Sequence, residues 1–161
     1  MSAVASLELL PDVERIVVDE LRANAAVAAI AADRVFTTWP KSRDDVAKSP
    51  VVIVTRTGGA PPFSRPLRLD SCELQIDTYG GGRGASWQLT ATVLDALVEL
   101  TDRVSALGVL HGVTIVASRF VPDESFAPAR PRYVTDVTVT ASPPRSSARL
   151  IDRSLVASRK E

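Results

Sequence analysis

Gly80, Gly82 and Ala85 have the spacing of a dinucleotide-binding turn. They lie between a run that reads as a strand and one that reads as a helix, where backbone N–H groups would meet a pyrophosphate. The surroundings do not fit. That fingerprint belongs to the first turn of a parallel βαβ unit with an acid closing the next strand, and Val113-Thr114-Ile115-Val116 carries none. No Gly-Lys-Ser/Thr sequence supplies a phosphate loop either. Gly80 to Gly84 is therefore read as a flexible connector, with Arg83 on it as a candidate contact residue; a small nucleotide-binding enzyme using this loop is the remote alternative. His111 is the one histidine and sits between Gly108 and Gly112, which suggests a solvated turn. No Gly-x-Ser-x-Gly elbow provides a nucleophile for it. Pro122-Asp123 matches the first half of a nuclease signature, but none of Lys41, Lys48 and Lys160 has an acid two positions before it. Asp123 and Glu124 then read as charges at a loop tip. No catalytic, metal or cofactor site is assigned.

Charge and cysteine usage narrow the classes further. Nineteen basic residues face nineteen acidic ones, which argues against a protein whose main task is gripping nucleic-acid phosphates. Phe63, Arg65, Arg68, Phe120 and Phe126 are the nearest approach to a stacking surface, and aromatics make up only 5% of the chain. A single cysteine, Cys72, excludes an intrachain disulfide framework and a multi-cysteine zinc site. The N-terminus lacks the basic and apolar regions of a secretory signal, and the longest uncharged stretch, Val104 to Ser118, is too short and too interrupted to span a bilayer. Assembly in the cytoplasm and no membrane partner are the expectations.

The elements that must position these residues emerge from periodicity. Pro11 with Asp12 and Glu14 marks a helix start, and Val13, Ile16, Val17 and Leu21 recur at helical spacing to about residue 23. Asn24 caps a short second piece, Ala25 to Ala32, and Val35-Phe36 opens an extended segment. Val51 to Thr55 is β-branched almost throughout and reads as a strand inside the sheet. Cys72, Leu74 and Ile76 alternate with Glu73, Gln75 and Asp77, a half-buried strand. Ser86 is placed as the cap of a long helix from about Trp87 to Leu107 that stops at Gly108. Val113 to Val116 and Tyr133 to Ala141 complete the strands, with a loop from Pro122 to Pro131 between them. The expected fold is α+β: a mostly antiparallel sheet of about four to five strands packed against two main helices. Residues 1–142 form its single domain, and 143–161 a basic Pro/Ser/Arg-rich extension.

Two features point to partners. On the long helix, Leu89, Val93, Leu97, Leu100, Val104 and Leu107 form one apolar stripe, while Trp87, Ala91, Leu94 and Val98 form another well round the cylinder. One sheet needs only the first, so the second is covered by the opening helix or by a neighbouring subunit. In the extension, Arg145, Arg149 and Arg153 accompany Leu150, Ile151, Leu155 and Val156 at helical spacing, which suits a short amphipathic helix on a partner or a frayed terminus.

Ala26-Val27-Ala28-Ala29-Ile30-Ala31-Ala32-Asp33-Arg34-Val35-Phe36, the strand Pro50 to Val54, Leu74-Gln75-Ile76-Asp77-Thr78-Tyr79 and the final strand Tyr133 to Val139 together resemble the tail terminator, or tail completion, family of long-tailed non-contractile phages. The likeness is one of order and texture over residues 8–141. It implies a homohexameric ring in the virion neck, sitting on the head-proximal end of the tail tube. Such a ring halts polymerisation of the tail tube protein once the tape-measure protein is covered, and then joins the head-tail connector protein, with DNA only passing through the lumen. Under that reading Trp87, Ala91, Leu94 and Val98 serve the subunit interface. Arg65, Arg68, Arg83, Asp123 and Glu124 face partners from loops, and Arg145, Arg149, Leu150 and Arg153 are tail contacts. Another neck or head completion protein is the closest alternative.

Overall fold

The computed structural model describes residues 11–41, 48–59 and 69–144. Helix α1 (Val13–Ala23) starts where the Asp12 carboxylate accepts a hydrogen bond from the Arg15 backbone N–H at 3.1 Å, and it buries Val13, Ile16, Val17, Val18 and Leu21. Asn24 closes α1 and opens α2 (Ala25–Ala31), its side-chain oxygen accepting from the Ala26 and Val27 N–H groups. Two-residue β1 (Val35–Phe36) runs parallel to β2 (Val51–Gly58), which pairs antiparallel with β3 (Asp70–Tyr79). Helix α3 (Arg83–Val98) comes next, then β4 (Val104–Ser105), β5 (Gly108–Phe120) and β6 (Tyr133–Ser142). The sheet order is β1-β2-β3-β6-β5-β4.

The α+β class stands, but the sheet is mixed and has six strands, and the helices number three. Strand alternation explains the layering. Cys72, Leu74 and Ile76 of β3, Val52 and Val54 of β2, and Val137, Val139 and Ala141 of β6 join Ile16, Val17, Leu21, Leu89, Val93 and Leu97 of the helices in one core. Val51, Ile53 and Tyr79 on the opposite face form a second, smaller cluster under Phe36 and Trp39. The double-sided burial of β2 is thus real, although β1 flanks it only at Val52 and Ile53.

The long helix needs correcting at both ends. It begins at Arg83, with Gly82 as a cap that has no side-chain bond. Ser86 lies buried in the first turn, where its Oγ accepts from the Gly80 N–H at 2.8 Å and donates to the Pro131 carbonyl at 3.2 Å. Gly80 must be glycine, because a Cβ there would stand 2.3 Å from the Ser86 nitrogen. At the other end the helix stops at Val98, not Leu107. Asp102 takes a left-handed φ of 61°, and the chain then turns through the β4–β5 hairpin. Leu100 keeps its place in the core, but Val104 and Leu107 are exposed. Gly108 begins β5 where a Cβ would meet Pro11 at 2.7 Å and the Ser142 carbonyl at 2.8 Å. His111 is on this strand and not in a turn, its Nε2 2.7 Å from Ser142 Oγ.

Candidate assembly interface

Strand β5 lies toward the edge of the sheet. Beyond the short hairpin with β4 it pairs on one side only among the described residues, and two register shifts, at Leu110/Gly112 and Ile115/Ala117, bend it. Val113 and Ile115 stand opposite Val139 and Val137, whose side chains are in the core, so both are on the helix-bearing face. The helices cover them only partly: each is half-buried, and Val116 beside them is 64% exposed. On α3 the second stripe is open as well. Trp87 is 50% and Val98 61% exposed, Ala91 is half-buried, and Leu94 packs partly against the core. The Trp87 ring leans on Tyr133 at 5.2 Å between centroids, Tyr133 on Phe120 at 5.3 Å, and the Arg83 guanidinium lies 4.5 Å over Phe120. Arg83 is therefore drawn into an aromatic cluster at the start of α3.

The loop between β5 and β6 is held to a second cluster on the other face. The Tyr79 hydroxyl donates to Asp123 at 2.8 Å, and Asp123 also accepts from the Ser125 N–H and hydroxyl. Asp123 and Arg130 pair through their backbones, and the Arg130 guanidinium lies within 6 Å of the Trp39, Tyr79 and Phe126 rings while donating to Ser49 Oγ at 2.6 Å. Burial raises the Asp123 carboxyl, but the Ser125 and Tyr79 hydrogen bonds outweigh it and hold it below its ordinary value. The Tyr79 phenol is pushed up by burial and by that same bond. The Asp123 carboxylate is thus engaged inside the loop, whereas Glu124 beside it is exposed. Sequence patterns do not single out Arg130 or Trp39, and they give Tyr79 only as the end of the segment Leu74 to Tyr79. The opposite end of the sheet is tied by Arg56, which holds fully buried Asp70 through two hydrogen bonds of 2.7 and 2.8 Å. Arg65, Arg68, Arg145, Arg149, Leu150 and Arg153 lie outside the described residues.

Between these ends, Asp77 sits on the sheet face away from the helices, with Gln75 donating to it and Arg132 at 3.8 Å. Burial raises its carboxyl above the ordinary value, against the opposing pull of Arg132 and Gln75. A raised folded-state value means that ionising Asp77 works against the fold: its contribution is most favourable when protonated and is lost as pH rises through the carboxylate range. Asp77→Asn is therefore expected to melt a few degrees higher than the natural chain at neutral pH, with the gap closing on acidification. Thermal melts across pH check this; a lower midpoint at neutral pH overturns it.

Burial pushes the Cys72 thiol up to about 11, which suppresses the thiolate, and no group of three metal-ligating side chains occurs among the described residues. What stays open is apolar surface on α3 and β5. The chain belongs to the phage tail termination protein family, whose model matches residues 9–116. It is accordingly a structural protein of the virion tail. Among solved structures it is similar to a chain of the virion of a native gene transfer agent (GTA) particle, at 21% identity and a TM-score of 0.58, covering 88% of this chain and all of that one. No curated protein matches it.

Proposed function

We propose that the chain closes into a ring, a homohexamer, on the head-proximal end of a non-contractile tail tube. There it stops addition of tail tube protein and then receives the head-tail connector. The observation that carries this reading is the uncovered apolar surface, where Trp87, Ala91, Leu94 and Val98 of α3 and Val113 and Ile115 of β5 are not fully buried by the chain's own helices, with Val116 exposed at the neighbouring bulge. A head-to-tail contact between such a surface and a different surface of the next copy closes a ring if the rotation fits, and the ring then shows two unlike faces. The sheet supplies them. The loop with Glu124 and the Arg130 cluster extends from the Tyr79/Tyr133 end, whereas the segment 60–68, with Arg65 and Arg68, joins β2 to β3 at the Gly58/Asp70 end. Residues 1–142 act as the ring-forming domain and 143–161 as its extension.

Two measurements test this. Solution mass over a range of concentrations, with negative-stain images, is expected to give a ring of about six chains. Added to polymerising tube subunits, the protein is expected to limit tube length. Unchanged tube length with a ring present would favour a connector subunit; a strict monomer that also leaves tubes unchanged would overturn both.

A further inference from the structure

A groove of about 220 Å³ lies between the C-terminal ends of α1 and α3, lined by Glu20, Ala23, Asn24, Ala96, Glu99, Leu100 and Arg103. It is on the opposite flank of α3 from the Trp87 to Val98 stripe, since Ala96 and Leu100 are about half a turn from Leu94 and Val98. Arg103 is its one cation, and its Nε already donates to Glu20 at 2.8 Å. Glu99 has no ion pair among the described residues, and α3 has no basic residue in its last turn to meet the negative end of its dipole. The groove therefore has room for further positive charge. Next to Arg103 begins the hairpin with exposed Val104, 71% accessible, and Leu107.

The chain itself delivers a complementary segment to this place. Ser142, at the end of β6, pairs with Val109, and Val109 pairs with Val104. Two strand spacings of about 4.8 Å put Ser142 roughly 10 Å from the hairpin residue that adjoins Arg103. Residues 143–148, extended at about 3.3 Å each, span roughly 20 Å, so the chain from residue 148 onward reaches the groove without strain. Residues 145–161 carry five basic residues and two acidic ones. Arg149 and Arg153 are one helical turn apart, as are Ile151 and Leu155 on another side.

We propose that residues 148–156 dock as a short amphipathic helix across the α1/α3 groove of their own chain, with Arg149 and Arg153 toward Glu99 and the C-terminus of α3, and Leu150, Ile151 and Leu155 toward Val104 and Leu107 of the hairpin. The inference does not depend on ring formation. Hydrogen exchange on the full-length chain, at low salt and at concentrations where it is monomeric, tests it directly. Backbone amides of 148–156 are expected to exchange at least about tenfold more slowly than in a free chain. Glu99→Lys is expected to return them toward free-chain rates, and Arg149→Glu with Arg153→Glu in the natural chain is expected to do the same. Lysine at position 99 suits the end of α3, so the loss would not come from unfolding of the helix. Free-chain rates in the natural protein, or protection indifferent to Glu99→Lys, would overturn the proposal. Protection that vanishes on dilution would assign the groove to the segment of a neighbouring copy and overturn docking within one chain.

Discussion

Replacing Arg56 by methionine is expected to lower stability by about 3 to 5 kcal/mol, because it strands the carboxylate of Asp70 in a site with no access to water. The guanidinium meets both carboxylate oxygens side by side and also donates to the Gly58 carbonyl at 3.2 Å, which locks the β2 and β3 ends at the base of the connecting segment. Its own backbone N–H donates to Glu14 of α1, so helix, strand and loop base meet at this residue. Paired, the charges offset their burial; with one partner gone, the desolvation of Asp70 is uncompensated. For a chain of this size the midpoint is expected to fall on the order of 10 °C. The double change Arg56→Met with Asp70→Leu distinguishes this cause from lost packing: it is expected to recover most of the stability, since no buried charge is left behind. A single variant within about 1 kcal/mol of the natural protein would show that water reaches Asp70 through the partly exposed side of Arg56.

Neither Arg56 nor Asp70 is legible in the sequence, and the reason is general to this fold. Period-two alternation marks β3, and the β-branched run marks β2, because the residues that cover a strand leave their imprint on the strand itself. Long-range pairings leave no such imprint. Arg130 finds Trp39 and Tyr79 only when the loop before β6 folds back over the far face of the sheet. The end of α3 is hidden for a related reason. Leu100, Val104 and Leu107 continue the helical spacing of Leu89, Val93 and Leu97, yet the helix ends at Val98 and the chain turns away through left-handed Asp102 to Gly108, which is pressed against Pro11, far earlier in the sequence. Strand β5 is legible only at Val113 to Val116, because one register shift precedes this run and the other falls at its end, breaking the alternation. The second stripe on α3 is legible because an apolar face that its own chain does not bury is a property of one helix.

That stripe gives the largest expected effect on assembly. Trp87→Glu is expected to abolish the proposed ring up to roughly fiftyfold above the concentration at which the natural chain half-assembles, while leaving the fold nearly intact. Half of the Trp87 surface is open and its main partner within the chain is the Tyr133 ring, a contact of about 0.5 to 1.5 kcal/mol. A central tryptophan in an interface is worth about 2 kcal/mol or more. A ring multiplies this: in a hexamer six interfaces are weakened together, roughly 12 kcal/mol in all, or about nine decades in the overall constant. Spread over the five association steps, the concentration needed for half-assembly rises on the order of fiftyfold. Sedimentation of the natural chain and the variant over a shared concentration range measures this shift, and the melting midpoint of the monomeric variant separates assembly from folding. Val116→Asp, on the exposed bulge of β5, changes no described contact within the chain and is expected to act in the same direction. If both variants assemble like the natural protein, the apolar flank is not the contact that closes the ring, and the surface between copies must be sought at the loop-bearing ends of the sheet.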